Sequence, residues 1–297
     1  MLQKVVGIFA VAGLLAWAGA HAQDNDADEL KIAALEALIA APPERALPAV
    51  TRVLQGDNSD EVKESALFIL SQIDTPEARN LLLQTARQES GELQEEAIQM
   101  IGVSGDPEAL RSLRDIYASA GMDVRESILE AFLIADETDA VLQIALQAET
   151  DEELDAALEM LAAMDATEEL RQVRAQVGVS EGLIEAYAIS GDFESLRELA
   201  MDTTDPEQQV NAIEAMGIVG GDEANAALVD IYRGADNEDV KEAALDGMVI
   251  SGYDQGVLEL YRASSSNEEK RQLLEYLSVM GSDEIWDIVD AALEGNR

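Results

Sequence analysis

The sequence predicts an all-α protein, a superhelical stack of about nine helix pairs, and three observations carry that prediction. Related segments recur at a spacing of about 31 residues. Glycine or aspartate turn residues return in a fixed register. No useful length of chain alternates apolar and polar residues with the period of two that a half-buried strand requires.

The repeat is visible in the residues. "DEVKESALFIL" from Asp60, "GELQEEAIQMI" from Gly91, "MDVRESILEAF" from Met122 and "EDVKEAALDGM" from Glu238 superimpose. Val62, Leu93, Val124 and Val240 share one register, followed by Ala66-Leu67, Ala97-Ile98, Ile128-Leu129 and Ala244-Leu245. Val62, Ala66, Ile69, Leu70 and Ile73 form an apolar stripe along one face of a helix.

Each such helix runs into a short turn from which a second helix starts. The turns include "IDTPEAR" at Ile73, "SGDPEAL" at Ser104, "SGDFESL" at Ser190 and "GGDEANA" at Gly220. Glycine supplies a left-handed C-cap and Asp or Thr the next N-cap, while Pro76 and Pro107 stand in a first turn that tolerates proline. With Asp74, Gly105, Asp136, Asp165, Gly191, Gly221, Gly252 and Gly281 as markers, the intervals run from 26 to 31 residues. The shortest interval predicts a sixth unit, around Gly178 to Thr204, with trimmed helices. One amphipathic pair cannot cover its own apolar face, whereas stacked pairs share one continuous core.

An acidic residue, then Val-[Lys/Arg], then Ala-[Leu/Ile], a Gly-Asp turn and a Leu-rich second helix: this order resembles HEAT repeats, especially the bacterial phycobilisome-lyase-type HEAT-like repeats. The resemblance implies a right-handed α-α superhelix over residues 28–297, with the second helices lining its concave surface. Most members of that family are protein-binding scaffolds and a few are enzymes. Lys63, Arg125 and Lys241 keep the family's cation after the Val, whereas Gln94 and Asp155 replace it.

The N-terminus reads as an address. Lys4 precedes an apolar run from Val5 to Ala20, and Ala20-His21-Ala22 forms a cleavage pattern before Gln23. The run is shorter than the ~20 residues that span a bilayer comfortably. Residues 1–22 are therefore expected to be a cleaved signal peptide, 23–27 an acidic leader, and the mature protein periplasmic or secreted, without stable membrane insertion. There is no cysteine, so neither a lipid anchor nor a disulfide is available.

Composition narrows the chemistry. The only histidine, His21, falls in the expected signal peptide, so Ser-His-Asp and Cys-His catalysis and the usual zinc sites lack their ligands. "VGG" at Val219 lacks the lysine of a phosphate loop. "DNDAD" at Asp24 opens like a calcium loop but places Glu29 at the sharp-turn Gly and Leu35 at the bidentate Glu, so it reads as leader. No catalytic residue, cofactor or metal is assigned, and the chain is read as a non-enzyme. A net charge of −42 argues against capture of nucleic acid or anionic lipid, which needs clustered Lys and Arg.

On the second helices, Arg111, Arg171 and Arg197 follow their turn markers by six residues, and Arg114 and Arg174 by nine. They read either as a cationic stripe gripping a carboxylate-bearing partner or as solvated arginines that offset neighbouring acids. Tyr117, Tyr232 and Tyr261 read either as binding anchors or as plugs between adjacent units. Trp286 sits off the apolar stripe of the last helix, where it would cover the open end of the stack.

The functional expectation is an interaction scaffold binding another protein or a peptide, possibly basic, on its concave face. The alternative, by family analogy, is a cofactor-handling or lyase-like enzyme. Sixty-one acidic residues against nineteen basic ones, only five of these lysine, also resemble proteins adapted to salt. Self-repulsion should then be screened by ions. The melting temperature should rise clearly between near-zero salt and about 1 M, where the Debye length falls to ~3 Å; a flat response would refute the argument.

Overall fold

The computed structural model describes residues 25–281 and 285–294; the expected signal peptide and Gln23 lie outside them. Among the described residues every regular element is a helix, and eighteen helices make the nine expected pairs. No described helix is long and apolar enough to cross a membrane. The chain divides into two compact units, residues 1–135 and 136–297.

The first unit holds α1 (Asn25–Glu36), α2 (Pro43–Gln55), α3 (Asp60–Ser71), α4 (Pro76–Gln88), α5 (Glu92–Ser104), α6 (Pro107–Tyr117) and α7 (Met122–Ala135). α1 starts at Asn25, ahead of the expected start at Asp28, so residues 25–27 of the expected leader are helical. Acids in a first turn are favoured by the helix dipole, and Asp28 also pairs with Lys31 at 2.9 Å. Four residues of the stripe predicted for α3 form its buried face, Val62, Ala66, Ile69 and Leu70 being at most 1 % exposed, whereas Ile73 falls beyond the helix end and is half-buried.

The second unit holds α8 (Thr138–Gln147), α9 (Asp151–Ala163), α10 (Thr167–Gln176), α11 (Glu181–Ser190), α12 (Phe193–Ala200), α13 (Pro206–Val219), α14 (Gly221–Gly234), α15 (Glu238–Ser251), α16 (Asp254–Ala263), α17 (Asn267–Met280) and α18 (Ile285–Glu294). The shortened unit is present: α11 has ten residues and α12 eight.

The turns follow the predicted chemistry. Gly105, Gly191, Gly252 and Gly281 adopt the left-handed conformation at helix C-termini. Asp136 and Asp165 occupy the same place with φ of 59° and 54°, a conformation that Asp tolerates better than most residues. Thr75, Asp106, Thr150, Ser180, Asp192, Asp205, Asn237 and Ser266 accept backbone hydrogen bonds as N-caps. The residue after the leading Val has a related task. Arg125 Nε donates to Tyr117 O at 3.1 Å, closing the end of α6, and Gln94 donates to Ala86 O at 2.8 Å in the turn before. Gln94 therefore keeps the function of the cation it replaces.

Within each unit, successive first helices (α1, α3, α5, α7; then α9, α11, α13, α15) pack on one another more extensively than successive second helices do, whereas α15 and α17 touch only sparsely. Small residues permit the close packing. A Cβ on Gly102 of α5 would lie 2.6 Å from Ala131 O of α7, and one on Gly217 of α13 would collide with the Gly247 carbonyl of α15. The first helices are therefore the more closely packed of the two layers in each unit. Gly217→Ala should cost about 1–3 kcal/mol by overpacking and lower the melting temperature; an unchanged midpoint would mean that α13 and α15 can separate freely.

Candidate functional site

The five arginines fall in two separate units. In the first, Arg111 and Arg114 are exposed on α6, and Arg111 Nε donates to Pro107 O at 3.0 Å. In the second, Arg171 and Arg174 lie on α10 and Arg197 on α12. Arg171 grips Asp192 with two bonds, Nη2 to Oδ1 at 2.8 Å and Nε to Oδ2 at 3.1 Å, and reaches Glu168 at 3.0 Å. Arg174 donates to Glu198 at 2.9 Å, and Arg197 holds Glu194. Arg171, Arg174, Glu194, Ser195 and Glu198 line an open depression of about 610 Å³.

Asp192 is the centre of this cluster. It caps α12 through Ser195 N and accepts the Ser195 hydroxyl at 2.5 Å. Its side chain is only 3 % exposed. Burial pushes its carboxyl up, but the hydrogen bonds from Ser195 and Arg171 outweigh that and hold it below the ordinary range. The first unit repeats the device: Arg79 on α4 donates to Asp106, the cap of α6, at 2.8 Å and also pairs with Glu108. Arg233 on α14 likewise reaches Glu259 on α16 at 2.7 Å. These arginines tie one second helix to the next across the wider-spaced layer.

The tyrosines act between elements as well. Tyr117 is buried beneath the Arg125 guanidinium, 5.0 Å from its ring centroid. Tyr232 donates to Glu269 at 3.1 Å; burial, then the Glu269 charge, holds its hydroxyl proton on far above the ordinary range. Lys270 lies 5.3 Å from the Tyr261 ring centroid. Trp286 is 69 % exposed, while its neighbour Ile285 is buried.

A surface the sequence reading passed over lies on the first helices of the second unit. Two residues before the positive-φ residue that follows each of these helices stands an outward side chain: Ala163, Ile189, Ile218, Ile250 and Val279. Ile189, Ile218, Ile250 and Val279 are 60, 58, 52 and 77 % exposed. One helical turn earlier stands an acid each time: Glu159, Glu185, Glu214, Asp246 and Glu275. Residues four apart share a helix face at about 5–6 Å between Cβ atoms. An acidic and an aliphatic row therefore run side by side across the first-helix layer of the second unit.

The acids of this layer crowd one another. Burial, then Asp246 and Glu242, raises Glu214; burial, then Asp151 and Glu181, raises Asp155. A carboxyl raised in the folded state binds protons more readily there than in the unfolded chain, so its destabilising contribution at neutral pH fades as pH falls. Asp155, Glu159, Glu181, Glu185 and Ile189 line a groove of about 450 Å³ between α9 and α11. No three Asp, Glu, His or Cys side chains among the described residues converge as metal ligands; of the calcium-like segment, Asp24 lies outside them and Asp26 and Asp28 are on α1.

Asp192→Ala removes a cap and an ion pair and should cost about 2 kcal/mol at neutral pH, read by urea unfolding. A depressed carboxyl lends stability above its unfolded pKa and loses it as pH falls through the folded value. The penalty should therefore shrink in strong acid; one that persists there would assign it to packing alone.

The sequence model of HEAT repeats matches residues 47–132. No curated protein sequence matches the chain. Among solved structures, the complex of CpcE and CpcF of phycocyanin lyase from Nostoc sp. PCC7120 is similar at 17 % identity and a TM-score of 0.34, over 81 % of this chain and 96 % of that one. An engineered protein is similar at 19 % identity and a TM-score of 0.21, over 79 % of this chain and 96 % of that one. The matched segment runs from within α2 to within α7, and the same helix pair with the same turn register continues after it. Residues 47–132 are thus similar to HEAT repeats, and the helix pairs on either side of them share that all-helical repeat pattern.

Proposed function

We propose that the protein is an exported interaction scaffold that binds a cationic protein partner on the first-helix layer of its second unit. The repeated fold supports a protein-binding role in general. The single observation that carries the finer reading is the row of exposed aliphatic side chains, each with an acid one helical turn away, returning in one register on successive helices. Of these acids Glu159, Glu185 and Glu275 are exposed, Glu214 and Asp246 are half-buried, and Asp246 also accepts from Tyr276. Exposed aliphatic side chains scattered singly need no explanation, but an ordered row rimmed by charge is the composition of a docking surface. Acidic neighbours select a basic partner and chiefly speed its association.

The arginines favour this face over their own. To grip a carboxylate on a partner, Arg171 would have to release the buried Asp192, and Arg174 and Arg197 would have to leave Glu198 and Glu194. The first-helix acids gain by the opposite exchange, because a partner's cation relieves their mutual repulsion. Export rests on the N-terminal address, and a periplasmic or secreted location follows from it.

The test is capture from an envelope extract by the immobilised mature chain and by a variant carrying Ile189→Ser, Ile218→Ser and Ile250→Ser. The expected result is a discrete basic protein held by the first and lost by the second at equal salt. Identical recoveries, or none from either, would overturn the reading.

A further inference from the structure

Independently of the scaffold reading, we propose that α17 is a gate within the second unit, swinging away from α15 while it keeps its contact with α16, and held shut by two tyrosine–carboxylate hydrogen bonds.

The cause lies in the register of the first helices. Counted back from the positive-φ residue that ends each one, the third residue of one helix meets the fifth residue of the next. Gly102 meets Ala131 in this way, and Gly217 meets Gly247. Alanine holds both places at the other steps within the second unit, Ala162 with Ala186 and Ala188 with Ala215, and all four are buried. The step from α15 to α17 departs from this rule. Its corresponding residues are Val249 and Tyr276. One turn earlier, Leu273 of α17 stands where α13 and α15 carry Ala212 and Ala244. The side chains at a contact set how closely two helices approach. Accordingly α15 and α17 touch only sparsely, although α17 packs well on α16.

Polar bonds act where close packing is missing. Glu269, Leu273, Tyr276 and Leu277 share one face of α17 by helical spacing. Leu273 and Leu277 are fully buried. Beside them Glu269 accepts from Tyr232 of α14 at 3.1 Å, and Tyr276 donates to Asp246 of α15 at 3.0 Å. The two bonds lie about 10 Å apart along the helix, so together they resist a rotation that one alone would allow. Burial, then the charge of the facing carboxylate, keeps both hydroxyl protons on far above the ordinary range.

The neighbouring helix stays fixed. A Cβ on Gly256 of α16 would lie 3.0 Å from Val229 of α14, and Arg233 of α14 reaches Glu259 of α16. Ser264, Ser265 and Ser266 connect this anchored helix to the moving one. Each latch bond contributes little net, because its separated groups find water, whereas parting α13 from α15 would uncover a continuous buried face. Asp246 belongs to the acidic row as well, so the open gate presents one more free carboxylate beside Ile250.

Hydrogen–deuterium exchange of the mature chain, read by mass spectrometry of peptides from α13, α15 and α17, tests the gate. The amides of α17 should exchange about tenfold faster than those of α13, and as one set. The Tyr232→Phe, Tyr276→Phe double variant keeps both rings and removes both donors. It should speed α17 by about a further tenfold and leave α13 unchanged, with each single variant giving part of that gain. Circular dichroism reports whether the helices are retained; if helix content falls in the double variant, the single variants decide by the same criterion. Equal exchange of α13 and α17 in the unaltered chain would overturn the gate. So would variants that speed no helix, which would assign the fast exchange to fraying, or variants that speed all three helices together, which would make the tyrosines part of general stability.

Discussion

Close contact between successive first helices is the constraint on which the other features depend. It requires glycine where backbones meet, at Gly102 against Ala131 and at Gly217 against Gly247, and a single methyl group at either place has nowhere to go. Bringing one layer together leaves the other more open, and the two layers are held by different means. The first helices are held by buried apolar faces such as Ala212, Ile213, Met216, Ala244, Leu245 and Met248. The second helices add side-chain links: Arg79 to Asp106, Arg171 to Asp192, Arg233 to Glu259. Such pairs are partly exposed and each contributes little through charge alone. Asp106 and Asp192 gain more from their position, because each also caps the helix that the arginine reaches.

This division of labour sorts the charges. With 61 acids and 19 bases, the arginines cannot offset every carboxylate, and several of them are placed on the second helices. The first-helix face keeps its acids, and the close packing beneath them brings carboxylates of neighbouring repeats together. The raised carboxyls of Glu214 and Asp155 in the second unit, and of Glu64 and Glu96 in the first, are the electrostatic consequence of that steric arrangement. In each of them burial is the largest cause and a neighbouring acid the next. Stability is thus given up on the face that also carries exposed aliphatic groups, a pattern expected of a surface kept for contact and not for packing.

Much of the architecture was legible because local chemistry announces it. Left-handed turns at Gly105, Gly191, Gly252 and Gly281, and even at Asp136 and Asp165, fall where the sequence register places them. The caps at Thr75, Asp106 and Asp192 follow from residue type and position. Contacts between repeats were not legible. The partner of Arg171 lies 21 residues away and that of Arg79 27 residues away, so spacing within one helix suggested a free stripe where the fold makes links. The aliphatic row escaped notice for a related reason. Ile189, Ile218 and Ile250 look like the last core residues of their helices, and only the packing reveals that they point outward. A signal was present in the second unit: the same two-residue offset from each positive-φ residue that ends a first helix, preceded one helical turn earlier by Glu or Asp.

A row of exposed isoleucines carries a risk, since aliphatic patches invite copies of the same chain to associate. The acids one turn away answer that risk without removing the patch. Two copies placed face to face would oppose Glu185, Glu214 and Asp246 with the same carboxylates, and like charges brought together out of water cost several kcal/mol. A cationic segment meets the same surface and gains from both rows. The acidic row therefore acts twice, excluding the chain's own copies and admitting a basic partner, and its discrimination depends on the two rows staying in register. That register is set by the helix spacing, which returns the argument to the glycines: widening the Gly217–Gly247 contact would disturb the rows before it disturbed any residue that a partner touches.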